Sequence, residues 1–387
     1  MAREASLFKK LFYICTFLLT GTAGVLISKA VYNMVAIGFY GDEHAFEKPW
    51  FTDWSMFVGM MGCFPVYWGQ KLYRKSRKIE DPPSKAQHVW LLVTIPALCD
   101  MVSTFMMNVG LLWIPASIWQ MLRGSIVIFT AILAITVRKQ KLPPYQWVGV
   151  LIVFVAEVIV GAAAIMQPSS GGSSQDTSIA RVIIGISLVI LAQFLQALQT
   201  IIEESLLHDV DTSPVLLVGY EGLWGFFFCT FVAMPIVYFL PGTEGDGIHE
   251  DTLDSFVMLG HNGLLLVLNL VYTLVICLFN IYGMFITEVS NAVTRNILES
   301  LRTLFIWVLN LIMFYATSGA TGEAWTWYSF MQLGGFVVLC AGLFIYNAVI
   351  KIPALMPKVP TDVVMPGEDP AQKGYATIPS QVDPVME

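Results

Sequence analysis

Residues 264–286 read LLLVLNLVYTLVICLFNIYGMFI, twenty-three consecutive positions without a charged side chain. A helix needs about 20 mostly apolar residues to cross the hydrocarbon core of a bilayer, so this run is long enough to span one. It contains Asn280, and fifteen residues further on, inside the next apolar stretch, stands Arg295. The same pair at the same spacing, Asn108 and Arg123, occurs 172 positions earlier. A charge placed inside a hydrophobic span is costly and ordinarily has a function. Its recurrence predicts an internally duplicated membrane protein.

Composition agrees with that class: of 387 residues, 56% are hydrophobic and 13% charged, and the mean hydropathy is +0.68. These values lie outside the soluble globular range. Ten stretches are long and apolar enough to span: 9–33, 54–72, 89–112, 116–137, 146–166, 181–206, 214–240, 264–286, 290–314 and 326–349. The short alternating segments of a membrane β-barrel are missing. The expected fold is an all-α polytopic membrane protein of ten transmembrane helices.

Lysine and arginine are retained on the cytoplasmic side of short loops. Fifteen of the 21 fall on one side of the ten-span scheme, among them Arg3, Lys71, Arg74, Arg138, Lys139 and Lys351, whereas the opposite loops hold Lys48 and Arg181. Both termini are therefore expected in the cytosol. The loop between spans 6 and 7 is acidic and departs from the pattern. The first span has no small-residue cleavage site and reads as an anchor.

The six cysteines lie within spans and show no CxxC pairing, so they read as packing residues. A net charge of -7 argues against nucleic-acid binding. No P-loop is present, so ATP drive is not expected, and neither is a cofactor. An intramembrane enzyme would need a paired catalytic set, and neither HExxH, a Gly-x-Gly-Asp pair of facing spans nor a mid-span histidine occurs; His88 sits at a span boundary.

If spans 1–5 and 6–10 are copies of one unit, each has an odd number of crossings and the second must be inverted relative to the first. Inverted repeats of this kind mark transporters. The resulting plan is a cytosolic N-terminus 1–8, a first repeat 9–166, a lumenal linker 167–180 rich in Ser and Gly, a second repeat 181–349 and a disordered cytosolic tail 350–387.

Several runs carry a resemblance: Cys99-Asp100-Met101; Ser117-Ile118-Trp119-Gln120-Met121-Leu122-Arg123-Gly124 with Ile126-Val127-Ile128-Phe129-Thr130; Gln199-Thr200-Ile201-Ile202-Glu203-Glu204; Val218-Gly219-Tyr220-Glu221-Gly222; and Thr294-Arg295 with Glu299-Ser300-Leu301-Arg302. Together they resemble the solute carrier 35 family, subfamily F, of the drug/metabolite transporter superfamily, over most of the chain. The resemblance implies a ten-helix carrier of two inverted five-helix repeats working by alternating access. Its relatives include nucleotide-sugar and chloroquine-resistance-type transporters. No run like the GALNK motif of nucleotide-sugar carriers is found, which points away from that substrate. Relatives also point to lysosomal or other endomembranes.

Within the spans, Asn291, Arg295, Glu299 and Arg302 are spaced 4, 4 and 3, one face of a helix. This stripe, with Asn108, Gln120, Arg123, Asn280 and Gln196, is expected to line the solute path; the alternative is that Glu299 neutralises Arg295 and Arg302 within its own helix. Gln193, Gln196, Thr200 and Glu203 share another face, which equally suits interhelical hydrogen bonding. Asp100, Glu157 and Glu221 are candidates for proton coupling, because an unpaired carboxylate in a span must be partnered or protonated; ion pairs of Asp100 or Glu157 with Arg123 account for the first two equally well. Lys29 reads as a snorkelling residue.

The acidic 241–262 loop with His249 and His261 reads as solvated, with no metal-ligand spacing. In the tail, Gly374-Tyr375-Ala376-Thr377-Ile378 fits a Gly-Tyr-x-x-apolar sorting signal, in which Tyr375 and Ile378 would engage clathrin adaptor complexes. The functional expectation is a secondary transporter of a small organic solute, embedded in the lipid bilayer of an endomembrane. Buried cations and carboxylates balance, so the sign of the solute's charge stays open. A membrane scaffold or sensor acting through its tail is the second reading.

Overall fold

The computed structural model describes residues 7–78, 88–113, 119, 122–166, 179–244, 247–316, 325–353 and 355. Gln120, Tyr375, Ile378, most of the linker and nearly all of the tail lie outside them. In chain order the elements are α1 (Leu7–Tyr32), β1 (Val35–Ile37), β2 (Glu43–Ala45), α2 (Pro49–Met61), α3 (Cys63–Ser76), α4 (Val89–Leu92), α5 (Thr94–Trp113), α6 (Ile126–Thr136), α7 (Pro144–Met166) and α8 (Ile179–His208). There follow α9 (Pro214–Phe228), a π-turn (Cys229–Ala233), α10 (Met234–Phe239), α11 (Thr252–His261), α12 (Gly263–Val289), α13 (Ala292–Ala316) and α14 (Trp327–Tyr346).

Among the described residues seven helices are long and apolar enough to cross a membrane: Leu7–Tyr32, Val89–Gly110, Arg181–His208, Pro214–Phe239, Gly263–Val289, Ala292–Ala316 and Trp327–Tyr346. The chain is thus an all-α polytopic membrane protein in its main body. The other expected spans fall on shorter or interrupted helices. The 54–72 stretch is divided at Gly62 between α2 and α3, 116–137 contains α6, and 146–166 lies within α7. The helix through 214–239 passes a π-turn just before Pro235. Proline has no N–H to return to the carbonyl of Phe231, which is why the ladder loosens there.

The helices pair across the sequence. α1 runs against α12, α5 against α8, α7 against α14 and α2 against α9; α6 touches α7, α8 and α13, α1 also meets α13, α5 meets α9, α2 meets α12, and α13 meets α14. One apolar core joins Tyr13 and Phe17 of α1, Ala134 of α6, Ile201 of α8, Ile286, Ile297 and Tyr346. It packs the ends of the bundle that carry both termini. A second core, around Phe57, Met60, Val93, Leu217 and Val218, holds α2, α5 and α9 together.

Two expectations about the opposite face are corrected. Residues 35–37 and 43–45 form a small antiparallel hairpin with Ala36 opposite His44, and the supposedly solvated 241–262 loop contains α11. Asp251 caps that helix by accepting the Leu253 N–H at 2.9 Å. Its Met258 and Leu259 then pack against Val31, Ala36, Phe46, Phe51 and Leu265. Apolar residues on one side of a capped turn outweighed the acidic composition. Lys48, read as a loop lysine, is fully buried.

Polar contacts fasten this cap. Asp254 receives the Lys48 ammonium at 2.7 Å, the Phe39 N–H at 2.6 Å and the His44 Nε2 at 3.0 Å, while Glu250 accepts the Trp50 and Phe51 N–H groups at the start of α2 at 3.0 and 2.7 Å. Burial pushes the Asp254 carboxyl up, but hydrogen bonds from Lys48, Phe39 and His44 and the Lys48 charge outweigh it and hold the group below the usual range. A carboxyl lowered on folding contributes stability that is complete above its unfolded value, about 3.9, and is lost as pH falls through the lower folded value. Hydrogen exchange at the Phe39 amide, whose N–H Asp254 accepts, divided by its intrinsic rate at each pH, is therefore expected to stay constant from about pH 7 to pH 5 and to rise only below about pH 4. Lys48→Met should shift that rise to higher pH; an unchanged profile would reject the clasp.

Candidate functional site

A cavity of about 600 Å³ lies between the two halves of the chain. Its wall takes Val25 and Lys29 from α1, Trp119, Arg123 and Gly124 ahead of α6, Glu157 and Val160 from α7, and Gln193 and Gln196 from α8. Asn296, Glu299, Ser300, Arg302, Thr303, Trp307 and Asn310 come from α13, and Gln332 and Phe336 from α14. On α13, Asn296, Ser300, Thr303, Trp307 and Asn310 follow at spacings of 4, 3, 4 and 3, a single helical face.

Glu299 is the electrostatic hub. Its Oε1 lies 3.3 Å from Arg302 Nη2 and 3.8 Å from Arg123 Nη2. The Arg123 guanidinium also stacks 5.0 Å over the Trp119 ring, and the Trp119 N–H donates to the Met107 carbonyl at 3.1 Å. Arg302 lies 4.9 Å over Phe279; such stacking suits a guanidinium better than an ammonium. Asn296 donates to Thr130 at 2.7 Å and to Thr200 at 3.2 Å. Gly124 lies so close to Glu157 that a Cβ there would meet the Glu157 Cβ at 2.6 Å.

Toward the termini the cavity gives way to packed side chains. Phe17 stacks on Phe279 with centroids 4.5 Å apart, and Tyr13 on Phe285 at 4.9 Å. Buried Arg295 pairs with fully buried Glu203, whose other oxygen accepts from Gln199 at 2.8 Å. At the outer edge Arg138 reaches Glu204 at 3.3 Å and Asp209 at 3.0 Å. Glu204 also accepts the Ala292 N–H at 3.0 Å, fastening the start of α13.

Of the residues singled out from sequence, Arg123, Glu157, Gln196, Glu299 and Arg302 meet at the cavity, together with Lys29 and Gln193. Arg295 instead faces Glu203. The reading in which Glu299 neutralises Arg295 and Arg302 is corrected: Glu299 serves Arg302 and Arg123, because Arg295 sits one to two turns nearer the termini, level with Glu203 of α8. Asn291 caps α13, accepting the Thr294 N–H at 2.7 Å. Asn280 donates within its own helix to the Ile276 carbonyl at 3.1 Å. Asn108, Asp100 and Glu221 lie away from the cavity wall; Glu221 is buried, and its Oε1 has no hydrogen-bond partner among the described residues. Sequence reasoning missed Asn296, Trp307, Asn310 and Gln332, although the α13 spacing carried three of them.

Known proteins can now be set beside this geometry. A family described as purine nucleobase transmembrane transport matches residues 10–235. Solute carrier family 35 member F6 of Homo sapiens and of Mus musculus are each 32% identical to the chain over 342 residues, covering 87% of it and 88% of the relative. An uncharacterized protein of Schizosaccharomyces pombe is 35% identical over 265 residues, covering 68% of this chain and 76% of its own. A solved crystal structure superposes with a TM-score of 0.54 at 11% identity, covering 88% of this chain and 96% of that one, a likeness of fold alone. The chain therefore belongs to the solute carrier 35 family, subfamily F, and is a membrane transporter of the drug/metabolite type.

Proposed function

We propose that the protein is a secondary carrier of a small, planar organic solute, bound in the 600 Å³ cavity and released by alternating access. One observation carries the reading: a polar cavity occupies one half of the bundle's depth while the same helices close the other half with an apolar core. Rocking the two halves about such a site would transfer the opening from one face to the other.

The ten-span, inverted-repeat plan of 9–166 and 181–349 is supported by helix neighbours. Exchanging each span with the one five further on turns α1 against α12 into α8 against α5, α6 against α8 into α13 against α1, and α5 against α9 into α12 against α2. The pairs α7 with α14 and α2 with α9 map onto themselves. Solute contacts are assigned to Arg123, Gln196, Glu299 and Arg302, to which the cavity adds Asn296, Asn310 and Gln332; Gln120, outside the described residues, and Asn108, Asn280, Asn291 and Arg295, off the wall, rest on the sequence alone. Proton coupling would involve Glu157, at the wall, or buried Glu221; Asp100 is the third candidate. The lysine and arginine distribution supports cytosolic termini, and the Tyr375 signal supports adaptor binding and a lysosomal or related endomembrane. Family membership weighs against a scaffold without transport.

Cavity volumes of 300–1,000 Å³ suit drug-sized ligands, and the matched family's description makes purine nucleobases the first solutes to try. Proteoliposomes holding the purified chain are expected to take up at least one labelled nitrogen heterocycle, and Asn296→Ala or Gln196→Ala to slow that uptake at least about tenfold, the scale of one or two lost buried hydrogen bonds. Folded protein that moves no member of a nucleobase and nucleoside panel would overturn the reading.

A further inference from the structure

Arg302 stands on the cavity wall only 8% exposed, and one carboxylate oxygen, Glu299 Oε1 at 3.3 Å, is its ion-pair partner. A guanidinium carries five N–H donors, and a single oxygen at that distance leaves most of them to an anionic or strongly accepting oxygen.

Charge points the same way. The wall carries three cations, Lys29, Arg123 and Arg302, against two carboxylates, Glu157 and Glu299. Glu299 faces both arginines through one oxygen, at 3.3 and 3.8 Å. Two guanidiniums offer ten N–H donors, and one carboxylate oxygen at these distances uses few of them. Glu299, Arg123 and Trp119 lie on the wall, so a solute can reach them without unfolding the bundle.

Resting on the carrier reading above, we propose that the solute is a nitrogen heterocycle bearing an acidic group, and that Glu299 is an internal counter-ion which the solute's acid displaces from Arg302 and Arg123. The acid pairs with Arg302 and Arg123. Before binding, Glu299 keeps the arginines from standing as uncompensated charges in the membrane. On binding, the arginines pass from the protein's carboxylate to the solute's, so the site favours an acid over its neutral analogue.

The test uses the full chain in detergent and two pyrimidines of similar size, orotate with a ring carboxylate and neutral thymine, in equilibrium binding. Wild type is expected to bind orotate at least about tenfold tighter than thymine, as a charge-assisted pair requires. Glu299→Gln removes the competitor while keeping shape; it should tighten orotate by about tenfold and widen its preference over thymine. A disabled site cannot produce that gain. Arg302→Gln should erase the preference for orotate. Equal binding of the two pyrimidines, or weaker orotate binding in Glu299→Gln, overturns the acid assignment while leaving the carrier reading intact. Binding of neither by monodisperse protein overturns the heterocycle in both.

Discussion

Replacing Arg295 with alanine is expected to destabilise the folded protein by about 3–5 kcal/mol, the scale of breaking a buried ion pair from one side. Arg295 is 7% exposed and Glu203 not at all, and the carboxylate keeps only the Gln199 amide as a donor once the guanidinium is gone. Glu221 alongside makes matters worse, since a second carboxyl then shares the site without a cation. Water cannot rescue the charge within the hydrocarbon layer. Removing both partners, as in Arg295→Met with Glu203→Met, should recover much of the loss, because no uncompensated charge remains. Arg123→Ala makes the contrast: its side chain is 29% exposed and its partner 3.8 Å away, so stability should change by less than about 1 kcal/mol while solute binding suffers. Unfolding midpoints of the purified variants decide it. A single Arg295 variant as stable as wild type, or a double variant worse than both singles, would refute the assignment. Two arginines alike in sequence thus stand in different places, one paired within the frame and one at the cavity wall.

That division marks how far the sequence could be read. Long apolar runs announce membrane helices because the bilayer demands about twenty such residues whatever they pack against, and α12 followed from residues 264–286 alone. A helical face could likewise be read from spacing, which is why Glu299, Arg302, Gln196 and Arg123 were legible. What a stripe touches depends on the depth and angle of neighbouring helices. No local pattern reports that Arg295 lies level with Glu203 or that Asn291 is spent on capping α13. Of the asparagines of the repeated pair, Asn280 satisfies itself within its helix. Composition misled most in the cap, where acidic Glu250, Asp251 and Asp254 read as solvated although each takes up donors supplied by distant or neighbouring backbone and by buried Lys48.

The cap and the seal give the two ends of the bundle different chemistry. On the terminal side α13 is tied to α8 through Glu204 and Ala292, with Arg138 across the gap. On the other side Glu250 and Asp254 tie the start of α2 to the approach of α12, away from the cavity wall. Under the proposed alternating access, passage toward the termini would require parting the aromatic stacks beneath the cavity and loosening Arg138.

Any such motion turns on the pair α7 and α14, and there the largest steric effect is expected. A Cβ at Gly149 would stand 2.8 Å from the Tyr346 nitrogen, and one at Gly342 would stand 3.0 Å from the Val153 nitrogen and 3.1 Å from the Gly149 carbonyl oxygen. These neighbours are backbone, so no rotamer change can make room. In lipid, apolar burial does not favour helix association, and close backbone approach across small residues carries much of the attraction. Gly149→Ala should cost about 1–3 kcal/mol by forcing the helices apart, and Gly149→Leu should prevent a monodisperse fold. Gly334, on the same helix, has nothing within 4 Å of its Cβ position. Alanine there should instead stabilise by about 0.5–1 kcal/mol, because glycine is the poorer helix former. Opposite shifts of the unfolding midpoint at two glycines of one helix pair separate packing from propensity; equal shifts would mean that the seam is not the contact holding the fifth expected span to the tenth.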